Sequence, residues 1–402
     1  MPGSYEACKT HMRHADQHFH HDGHEHAPAF GLPRPRDEEW WFSAWEIEQK
    51  VWPLTRGEGV TVGLLDTGVE ARLPDLQGAV LPGTGFGTTE SRDGRRDVDT
   101  RLGGHGTAMA ALIAGQGLGT GMVGIAPGAK VLPVARPSGG SGQLNKEIKY
   151  AVDHGAKVIN MSFAMPLAYC PIGMQEEIAY AIKRDVVVVA GAGNEGRRDN
   201  AVNAPANCPG VLTVGGVTAD LELWDRSTPG DTVMLAAPAV DVGSIGKDGT
   251  FSWKTSGTSQ ATALTSGVVA LMRARYPEMS AREVVQRLLA TAKDIGPPGW
   301  DRKTGYGAII PYLALSSDVA SKAPNPVYDR FDRLHQDGGD NEGRVTIGPS
   351  AGPQITDAAS QQRDNSFLPY VATLVGLAIS GAAFYLGARF RRRRKATGKS
   401  LR

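Results

Sequence analysis

The chain has 402 residues, with 43 lysines and arginines against 42 aspartates and glutamates, and a formal net charge of +1 at pH 7. Such a balanced charge creates no overall field that would attract nucleic acid, so we expect no nucleic-acid partner. The length accommodates one large α/β domain of roughly 250 residues together with extensions.

Residues 1–38 predict a disordered polar leader. Seven of the ten histidines of the chain lie between His11 and His26, among few apolar residues. A tract of this composition either stays solvated or binds a metal ion, and we expect the solvated state.

Four tryptophans between Trp40 and Trp52 follow the leader. The apolar residues recur at helical spacing on two adjacent stripes, one with Trp40, Ala44, Ile47 and Val51 and the other with Trp41 and Trp45. This pattern predicts a short amphipathic helix that packs on the main domain, and a membrane-surface helix is the alternative.

An aspartate stands at the end of the first predicted strand. Residues 59–65 form an apolar run suited to a buried parallel strand, Asp66 follows it, and Thr67-Gly68 turns the chain away. Ligands collect at the carboxyl ends of strands in open α/β sheets. A buried carboxylate there needs a hydrogen-bonding partner such as an imidazole. The alternative is a carboxylate satisfied by the backbone of its own turn.

A histidine flanked by glycines comes next. Gly103-Gly104-His105-Gly106-Thr107 opens an apolar stretch, residues 108–115, that predicts a buried helix. The positive end of the helix dipole would disfavour the charged imidazole, which suits a base that begins neutral. The alternative is a core histidine with no role in chemistry.

An asparagine follows another predicted strand. Residues 185–190 form an apolar run that ends in Gly191-Ala-Gly-Asn194-Glu-Gly196. The glycines allow close backbone approach, and the asparagine amide offers a donor of the kind an oxyanion hole requires. An asparagine in an ordinary turn is the alternative.

A serine begins a helix of small residues. Ser259 follows Ser-Gly-Thr and precedes a run to Met272 that predicts a buried helix. Free N–H groups and the positive dipole end at a helix N-terminus would face whatever the hydroxyl attacks. The alternative is an ordinary serine N-cap.

The order of these segments, Asp66, His105 and then Ser259, resembles that of the subtilisin family of serine endopeptidases. The likeness extends from about residue 60 to residue 312. It implies a subtilisin-like three-layer α/β fold with a mostly parallel central sheet. It also implies an Asp-His-Ser triad that cleaves peptide bonds through an acyl-enzyme, with Asn194 as oxyanion donor and with no cofactor.

The resemblance also implies a substrate groove. In the family, the peptide adds as an extended strand between two edge segments, which correspond here to residues 138–143 and 158–162. The substrate-binding residues implied by the match are Ser138, Gly139, Gly140, Ser162, Phe163, Ala164, Gly191, Gly193 and Glu195. Glu195 lies at the rim of the implied pocket, where it would favour basic or polar side chains. Ala204-Pro205 matches a frequent cis-proline position.

The sequence departs from the family in several places. Ala108 and Ala263-Leu264 stand where family members often have histidine or Pro-His, which we interpret as variation in helix packing. The loop of residues 116–123 lacks the oxygen ligands of a calcium site, so we expect no calcium there and no other metal. The leader is shorter than the folded inhibitory pro-domain of secreted subtilisins, so we expect no zymogen control by such a domain.

The C-terminal part predicts a membrane anchor. Residues 316–366 have the composition of a flexible linker, and residues 367–387 form a long uncharged apolar run suited to one transmembrane helix. Residues 388–402 form a basic tail, which the positive-inside tendency places in the cytoplasm. The peptidase domain, residues 39–315, would then lie outside the cytoplasm. A buried core helix is the alternative for the apolar run.

The N-terminus conflicts with this topology, because residues 1–30 contain no apolar signal-peptide core. We expect that the chain begins downstream of its true start; the alternative is a cytoplasmic protease with a translocated basic tail, which costs several charges crossing a bilayer. Cys170 and Cys208 either form a disulfide, as suits an oxidising compartment, or remain two buried thiols.

The layout as a whole is similar to the mycosins, which are actinobacterial membrane-anchored subtilisin-like proteases associated with type VII secretion. This likeness implies polypeptide substrates, a cell membrane location with a single span, and a secretion machinery as partner. Two other functions stay open. One is a scaffold of a secretion assembly with dispensable catalysis, and the other is a tail-anchored cytoplasmic quality-control protease.

Overall fold

A seven-stranded parallel sheet forms the centre of the domain. The computed structural model describes residues 34–138, 140, 142–197, 203–320 and 322–336. The strands follow the spatial order β2-β3-β1-β4-β5-β6-β7. They are β1 Thr61–Asp66, β2 Thr84–Gly85, β3 Lys130–Ala135, β4 Val158–Met161, β5 Val187–Gly191, β6 Val211–Val217 and β7 Val233–Pro238. A short antiparallel hairpin, β8 Ser244–Ile245 and β9 Phe251–Ser252, lies outside this sheet.

Helices cover both faces of the sheet. They are α1 Trp40–Ala44, α2 His105–Ala114, α3 Leu144–Asp153, α4 Ile172–Lys183, α5 Thr258–Arg275, α6 Ala281–Ala290, α7 Pro311–Ser316 and α8 Pro326–Gln336. A π-helix spans Ile47–Val51 and a 3-10 helix spans Pro74–Leu76.

Alternate residues of the strands supply two separate cores. In β5, Val187 and Val189 belong to the core that contains α2 and α5, whereas Val188 and Ala190 belong to the core that contains α3 and α4. Because both faces are covered, the strands are apolar at nearly every position. The three-layer α/β fold with a parallel sheet that the sequence predicts is therefore confirmed.

The strand ends place three polar residues at one edge of the sheet. Asp66 is the last residue of β1, Ser162 follows β4, and Asn194 lies three residues after the end of β5. Since β1, β4 and β5 are parallel neighbours, their carboxyl ends meet at the same edge. Helices α2 and α5 begin beside it with His105 and Thr258-Ser259.

The tryptophan-rich segment does not form the predicted continuous helix. Helix α1 ends at Ala44, Glu46 adopts a left-handed φ of 50°, and the chain continues as the π-helix. The break turns Trp41 and Ile47 into the same core, where both are 0% exposed, and leaves Ala44 at the surface. The segment thus packs on the main domain, but through both of its helical pieces.

Part of the predicted flexible linker is a helix. Helix α8 lies within residues 316–366 and buries Val327, Tyr328 and Phe331. The backbone carbonyl of Arg282 in α6 accepts a hydrogen bond from Asn325 Nδ2 at 2.9 Å, beside the start of α8. The linker prediction is wrong for this stretch. Polar and charged residues dominate its composition, but its few apolar residues recur at helical spacing and are buried. The folded domain extends past residue 315.

The leader, the predicted membrane span at 367–387 and the basic tail at 388–402 lie outside the described residues. Among residues 34–336, in the portions that the structure describes, no helix has both the length and the apolar character needed to cross a membrane.

Two features that the sequence left open or implied are present. Cys170 and Cys208 form a disulfide between the start of α4 and the approach to β6, which resolves the choice between disulfide and free thiols. The Ala204–Pro205 peptide bond is cis, as the family resemblance implies.

A carboxylate organises the loop at residues 116–123. Asp75 Oδ1 and Oδ2 accept hydrogen bonds from the backbone N–H groups of Gly119 and Thr120, at 2.9 and 2.8 Å. Arg36 donates to the carbonyl of Thr120, and the Glu39 carboxylate accepts from the backbone N–H of Val123 at 3.3 Å. The N-terminal segment is therefore bound to this loop through buried polar groups.

This contact predicts a pH-dependent stability. Burial raises the pKa of Glu39 from 4.5 to about 8. The backbone N–H groups of Arg36 and Val123 and the charge of Arg36 lower this pKa, but burial outweighs them, and the charge of Asp75 adds to the increase. The folded state then binds a proton that the unfolded chain releases above about pH 4.5, so the free energy of unfolding falls as pH rises through 8. We expect the melting temperature of Glu39→Gln to fall less between pH 6 and 9 than the melting temperature of the wild type.

Differential scanning calorimetry across that range measures the effect. Glu38→Gln is the matched control, because Glu38 is an exposed neighbour of the same type. Equal slopes of melting temperature against pH in all three chains would contradict the assignment to Glu39.

Candidate active site

A buried carboxylate and an imidazole form the centre of the site. His105 Nδ1 lies 2.8 Å from Asp66 Oδ1 and 3.0 Å from Asp66 Oδ2. The Asp66 side chain is 4% exposed and the His105 side chain 18% exposed. The Asp66 Oδ1 atom also accepts the backbone N–H of Thr67 at 2.8 Å, so the carboxylate is held in one orientation.

Close backbone approach brings the two groups together. A Cβ on Gly106 would lie 2.1 Å from the carbonyl oxygen of Gly68, so only glycine allows the start of α2 to reach the turn after β1. Thr67 Oγ1 completes the junction by accepting the Gly106 N–H at 2.9 Å. Of the glycines that flank His105, Gly106 serves this contact, whereas Gly104 lies against Lys247.

Neighbouring carboxylates control the charge of the imidazole. Burial of the ring alone would lower the pKa of His105, but the charge and hydrogen bond of Asp66 raise it, and Asp97 and Asp99 add to the effect. The net pKa lies above the ordinary value of 6.5. The net direction is therefore opposite to the one expected from the helix dipole alone, because the carboxylates favour the charged ring.

The serine lies at the second position of α5. The helix begins at Thr258 and Gly257 is its N-cap residue, so Ser259 is not the N-cap that the alternative interpretation required. Ser259 Oγ donates to the carbonyl of Ser162 at 3.0 Å, and Ser162 Oγ donates back to the carbonyl of Ser259 at 3.0 Å. In this rotamer the hydroxyl is bound to the end of β4 rather than to the imidazole.

The asparagine is fixed by the same helix. Asn194 Oδ1 accepts hydrogen bonds from the backbone N–H of Thr258 at 2.9 Å and from Thr258 Oγ1 at 3.0 Å. Because both contacts use the amide oxygen, Nδ2 is the end of the side chain that can donate to a ligand. Asn194 is bound to Thr258, the residue before Ser259, so its Nδ2 donor lies beside the start of α5.

All these groups line one cleft with a volume of about 560 Å³. Its walls include most of the residues that the sequence predicted, namely Asp66, His105, Ser138, Gly140, Ser162, Phe163, Ala164, Gly191, Gly193, Asn194, Glu195 and Ser259. Gly139 lies outside the described residues. Glu195 is exposed at the rim, and its Oε2 accepts the Asn194 N–H at 2.9 Å.

The cleft also contains residues that sequence reasoning missed, three of them charged. Arg101 and Leu102 lie on its rim, and Asp99 and Arg136 lie in its wall. Arg136 is buried, with Nε 3.3 Å from Glu147 Oε2 and the guanidinium 4.0 Å from the centre of the Phe163 ring. The nearness of Asp97 and Asp99 to His105 in sequence was the one signal available for the two acids.

The part of the chain that the structure describes contains no group of three or more His, Cys, Asp or Glu side chains able to hold a metal ion.

Comparison with known proteins places this geometry in a family. The model of the subtilase family matches residues 57–307. Mycosin-4 of Mycobacterium tuberculosis is 34% identical over 331 residues, which cover 70% of this chain and 70% of that protein. Fervidolysin of Fervidobacterium pennivorans is 32% identical over 374 residues, but the chain spans only 50% of its length.

Solved structures give the same result. The crystal structure of MycP1 without its N-terminal propeptide superposes with a TM-score of 0.62 at 29% identity, over 70% of this chain and 97% of that chain. The MycP3 protease from the type VII (ESX-3) secretion system superposes with a TM-score of 0.60 at 30% identity, over 71% and 89% of the two chains. The chain therefore belongs to the subtilase family, and its matched region is a mycosin-like, subtilisin-type serine endopeptidase domain.

Proposed function

We propose that the protein hydrolyses peptide bonds of polypeptides with Ser259 as nucleophile, His105 as general base and acid, and Asp66 as the partner of the imidazole. The observation that carries this proposal is the 2.8 Å contact between His105 Nδ1 and Asp66 at the edge where α5 begins with Thr258 and Ser259. With Nδ1–H bound to the carboxylate, Nε2 is the free base.

The reaction follows from these positions. A change of the Ser259 side-chain rotamer turns Oγ from the Ser162 carbonyl toward His105 Nε2, which accepts the proton as Oγ attacks the peptide carbonyl. The protonated imidazole then gives this proton to the leaving amine, which leaves an acyl group on Ser259. Water hydrolyses the acyl-enzyme by the same proton transfers in reverse order. Asp66 stabilises the imidazolium in both steps.

The oxyanion is stabilised by two donors. The backbone N–H of Ser259 is among the first four of α5, which have no partner within the helix, and it lies at the positive end of the helix dipole. Asn194 Nδ2 supplies the second donor, because Thr258 occupies its amide oxygen. Both groups are in place before the charge develops, so little reorganisation is needed.

The cleft accepts an extended peptide. Ser138 and Gly140 on one side and Ser162 to Ala164 on the other offer backbone groups for pairing with a substrate strand. Glu195 at the rim carries a negative charge, so we expect basic or polar side chains near the cleavage point to be preferred over acidic ones.

Location at a membrane is part of the proposal. Residues 367–387 would form one span with the basic tail in the cytoplasm, so the peptidase domain would act outside the cytoplasm. The Cys170–Cys208 disulfide favours an oxidising compartment. Relatives such as the MycP3 protease from the type VII (ESX-3) secretion system suggest a secretion machinery as partner.

Replacement of the nucleophile and of the oxyanion donor predicts two different losses. We expect Ser259→Ala to lower kcat for a peptide substrate by at least about 10⁴-fold, and Asn194→Ala by about 10²–10³-fold, the range known for the asparagine donor of subtilisin itself. Ser256→Ala, three residues earlier at an exposed position, is the control and should keep full activity. A Ser259→Ala chain with wild-type kcat would refute the proposal.

The pH profile tests the base. Since His105 must be neutral to accept a proton and its pKa is raised, we expect kcat/KM to increase with pH through a midpoint above 6.5. Asp66→Asn removes the carboxylate that raises this pKa, so the midpoint should move to lower pH while the plateau rate falls by about 10⁴-fold. A profile that is flat from pH 5 to 8, or a midpoint unmoved in Asp66→Asn, would contradict the assignment.

Topology is tested on intact cells. With a tag at the C-terminus, external protease should digest the peptidase domain and leave the tagged tail protected. A chain that ends at residue 366 should no longer sediment with membranes. Protection of the peptidase domain, with a cytoplasmic marker equally protected, would instead support the tail-anchored cytoplasmic alternative.

A further inference from the structure

The carboxylate of Asp99 holds the loop that leads into α2, the helix that begins with His105. Asp99 Oδ1 accepts the backbone N–H of Arg101 at 2.9 Å. Asp99 Oδ2 accepts three more, from Leu102 and Gly104 at 2.9 Å and from His105 at 3.2 Å. Four of the six residues from 100 to 105 are thus bound to the side chain of one residue, Asp99, which is 1% exposed.

The same carboxylate also contacts a second segment that lines the cleft. Ser138 Oγ donates to Asp99 Oδ1 at 3.0 Å. Ser138 belongs to the segment that, on the proposed function, pairs with the substrate backbone. A direct link of two hydrogen bonds therefore runs from the His105 backbone through Asp99 to the substrate-binding edge.

Asp99 is itself held from two further directions. Its backbone N–H donates to Asp97 Oδ1 at 2.9 Å. Its carbonyl accepts a hydrogen bond from Lys247 Nζ in the β8–β9 turn, and the Lys247 N–H donates to the carbonyl of Gly103 at 2.9 Å. The backbone of Asp99 is therefore fixed by Asp97 and by the hairpin, and its side chain cannot leave the loop without breaking the four N–H contacts and the contact to Ser138.

The charge of Asp99 persists through the working pH range. Burial would raise the pKa of Asp99, but the N–H groups of Arg101, Gly104 and Leu102 and the hydroxyl of Ser138 lower it to about 2. The charged groups that face His105 are Asp66 from β1 and Asp97 and Asp99 from the loop before α2, and all three raise the pKa of the imidazole. Asp99 thus influences His105 both through position and through charge.

The loop also presents a side chain to the cleft. Leu102 is 72% exposed on the rim although it is a large apolar residue, and its backbone N–H is one of the four bound by Asp99. An exposed leucine fixed at the rim of a substrate groove offers an apolar surface to the bound peptide.

We propose that Asp99 is a positioning residue for peptide hydrolysis, which fixes the imidazole of His105 and the substrate edge at Ser138 relative to each other. This inference rests on the proposed function, because it assigns the geometry of the same site. Asp99 does not touch the reacting atoms and acts through His105 and Ser138.

Two variants of the full chain separate the two halves of the link. Asp99→Asn keeps the size of the side chain but removes the charge and at least one acceptor, so we expect kcat/KM to fall by about 10- to 100-fold. Its acid-limb midpoint should move to lower pH, because a negative charge near His105 is lost. Ser138→Ala removes only the link to the substrate edge, so we expect KM to rise about fivefold at unchanged kcat and unchanged midpoint.

The charge-matched control is Asp248→Asn, which removes one exposed carboxylate from the neighbouring hairpin and should leave kcat, KM and the midpoint at wild-type values. Melting temperatures are measured for all chains. The pH dependence of inactivation by diisopropyl fluorophosphate provides a second measure of the His105 midpoint that needs no peptide. If Asp99→Asn does not fold, Ser138→Ala still tests the link through KM.

The inference is overturned if the wild-type chain is inactivated at Ser259 and Asp99→Asn keeps the wild-type midpoint. It is equally overturned if, with the wild-type chain inactivated at Ser259, Ser138→Ala keeps the wild-type KM. A wild-type chain that neither hydrolyses peptides nor reacts at Ser259 would instead mean that the proposed function fails. The two failures are therefore distinguishable in the same set of measurements.

Discussion

The buried contact between Asp66 and His105 is the constraint on which the rest of the site depends. A carboxylate that is 4% exposed is costly to bury unless it is paired, and the imidazole at 2.8 Å supplies the partner. The pairing fixes which ring nitrogen faces the cleft. It also requires the start of α2 to approach the end of β1 more closely than any side chain at Gly106 would permit.

The fold satisfies this requirement by bringing strand ends and helix starts to one edge. The parallel strands β1, β4 and β5 deliver Asp66, Ser162 and Asn194, while α2 and α5 begin with His105 and Thr258-Ser259. Side chains at helix starts meet N–H groups that lack partners within the helix, and Asn194 uses one of them, at Thr258, to orient its amide. The substrate cleft is the space left between these ends.

Short glycine-flanked motifs made the main residues of the site predictable. Asp66, His105, Asn194 and Ser259 each had a simpler structural explanation alone, and only their order made the family resemblance specific. The strand that precedes Asp66 and the helix that follows Ser259 were likewise predictable, because buried elements of parallel sheets are apolar along their whole length. The sheet order and the disulfide between Cys170 and Cys208 required the structure.

Residues that act through backbone contacts were missed for a physical reason. The acceptors that Asp99 offers to four N–H groups leave no periodic pattern, since any residue type can supply a backbone donor. The helix break at Glu46 depends on a left-handed φ that the neighbouring tryptophans do not predict. Helix α8 was hidden by its many charges, although Tyr328 and Phe331 are buried.

On the proposed topology, a span and the residues before it would keep the site near the membrane, so substrates would be limited to polypeptides that pass close to it.

The central claim is that Ser259 is an activated nucleophile. Intact-protein mass spectrometry after treatment with diisopropyl fluorophosphate tests this claim most directly. The account predicts a single adduct on Ser259 in the native chain, and none in Ser259→Ala or after heat denaturation. No adduct in the native chain, or equal labelling of Ser259→Ala, would contradict it.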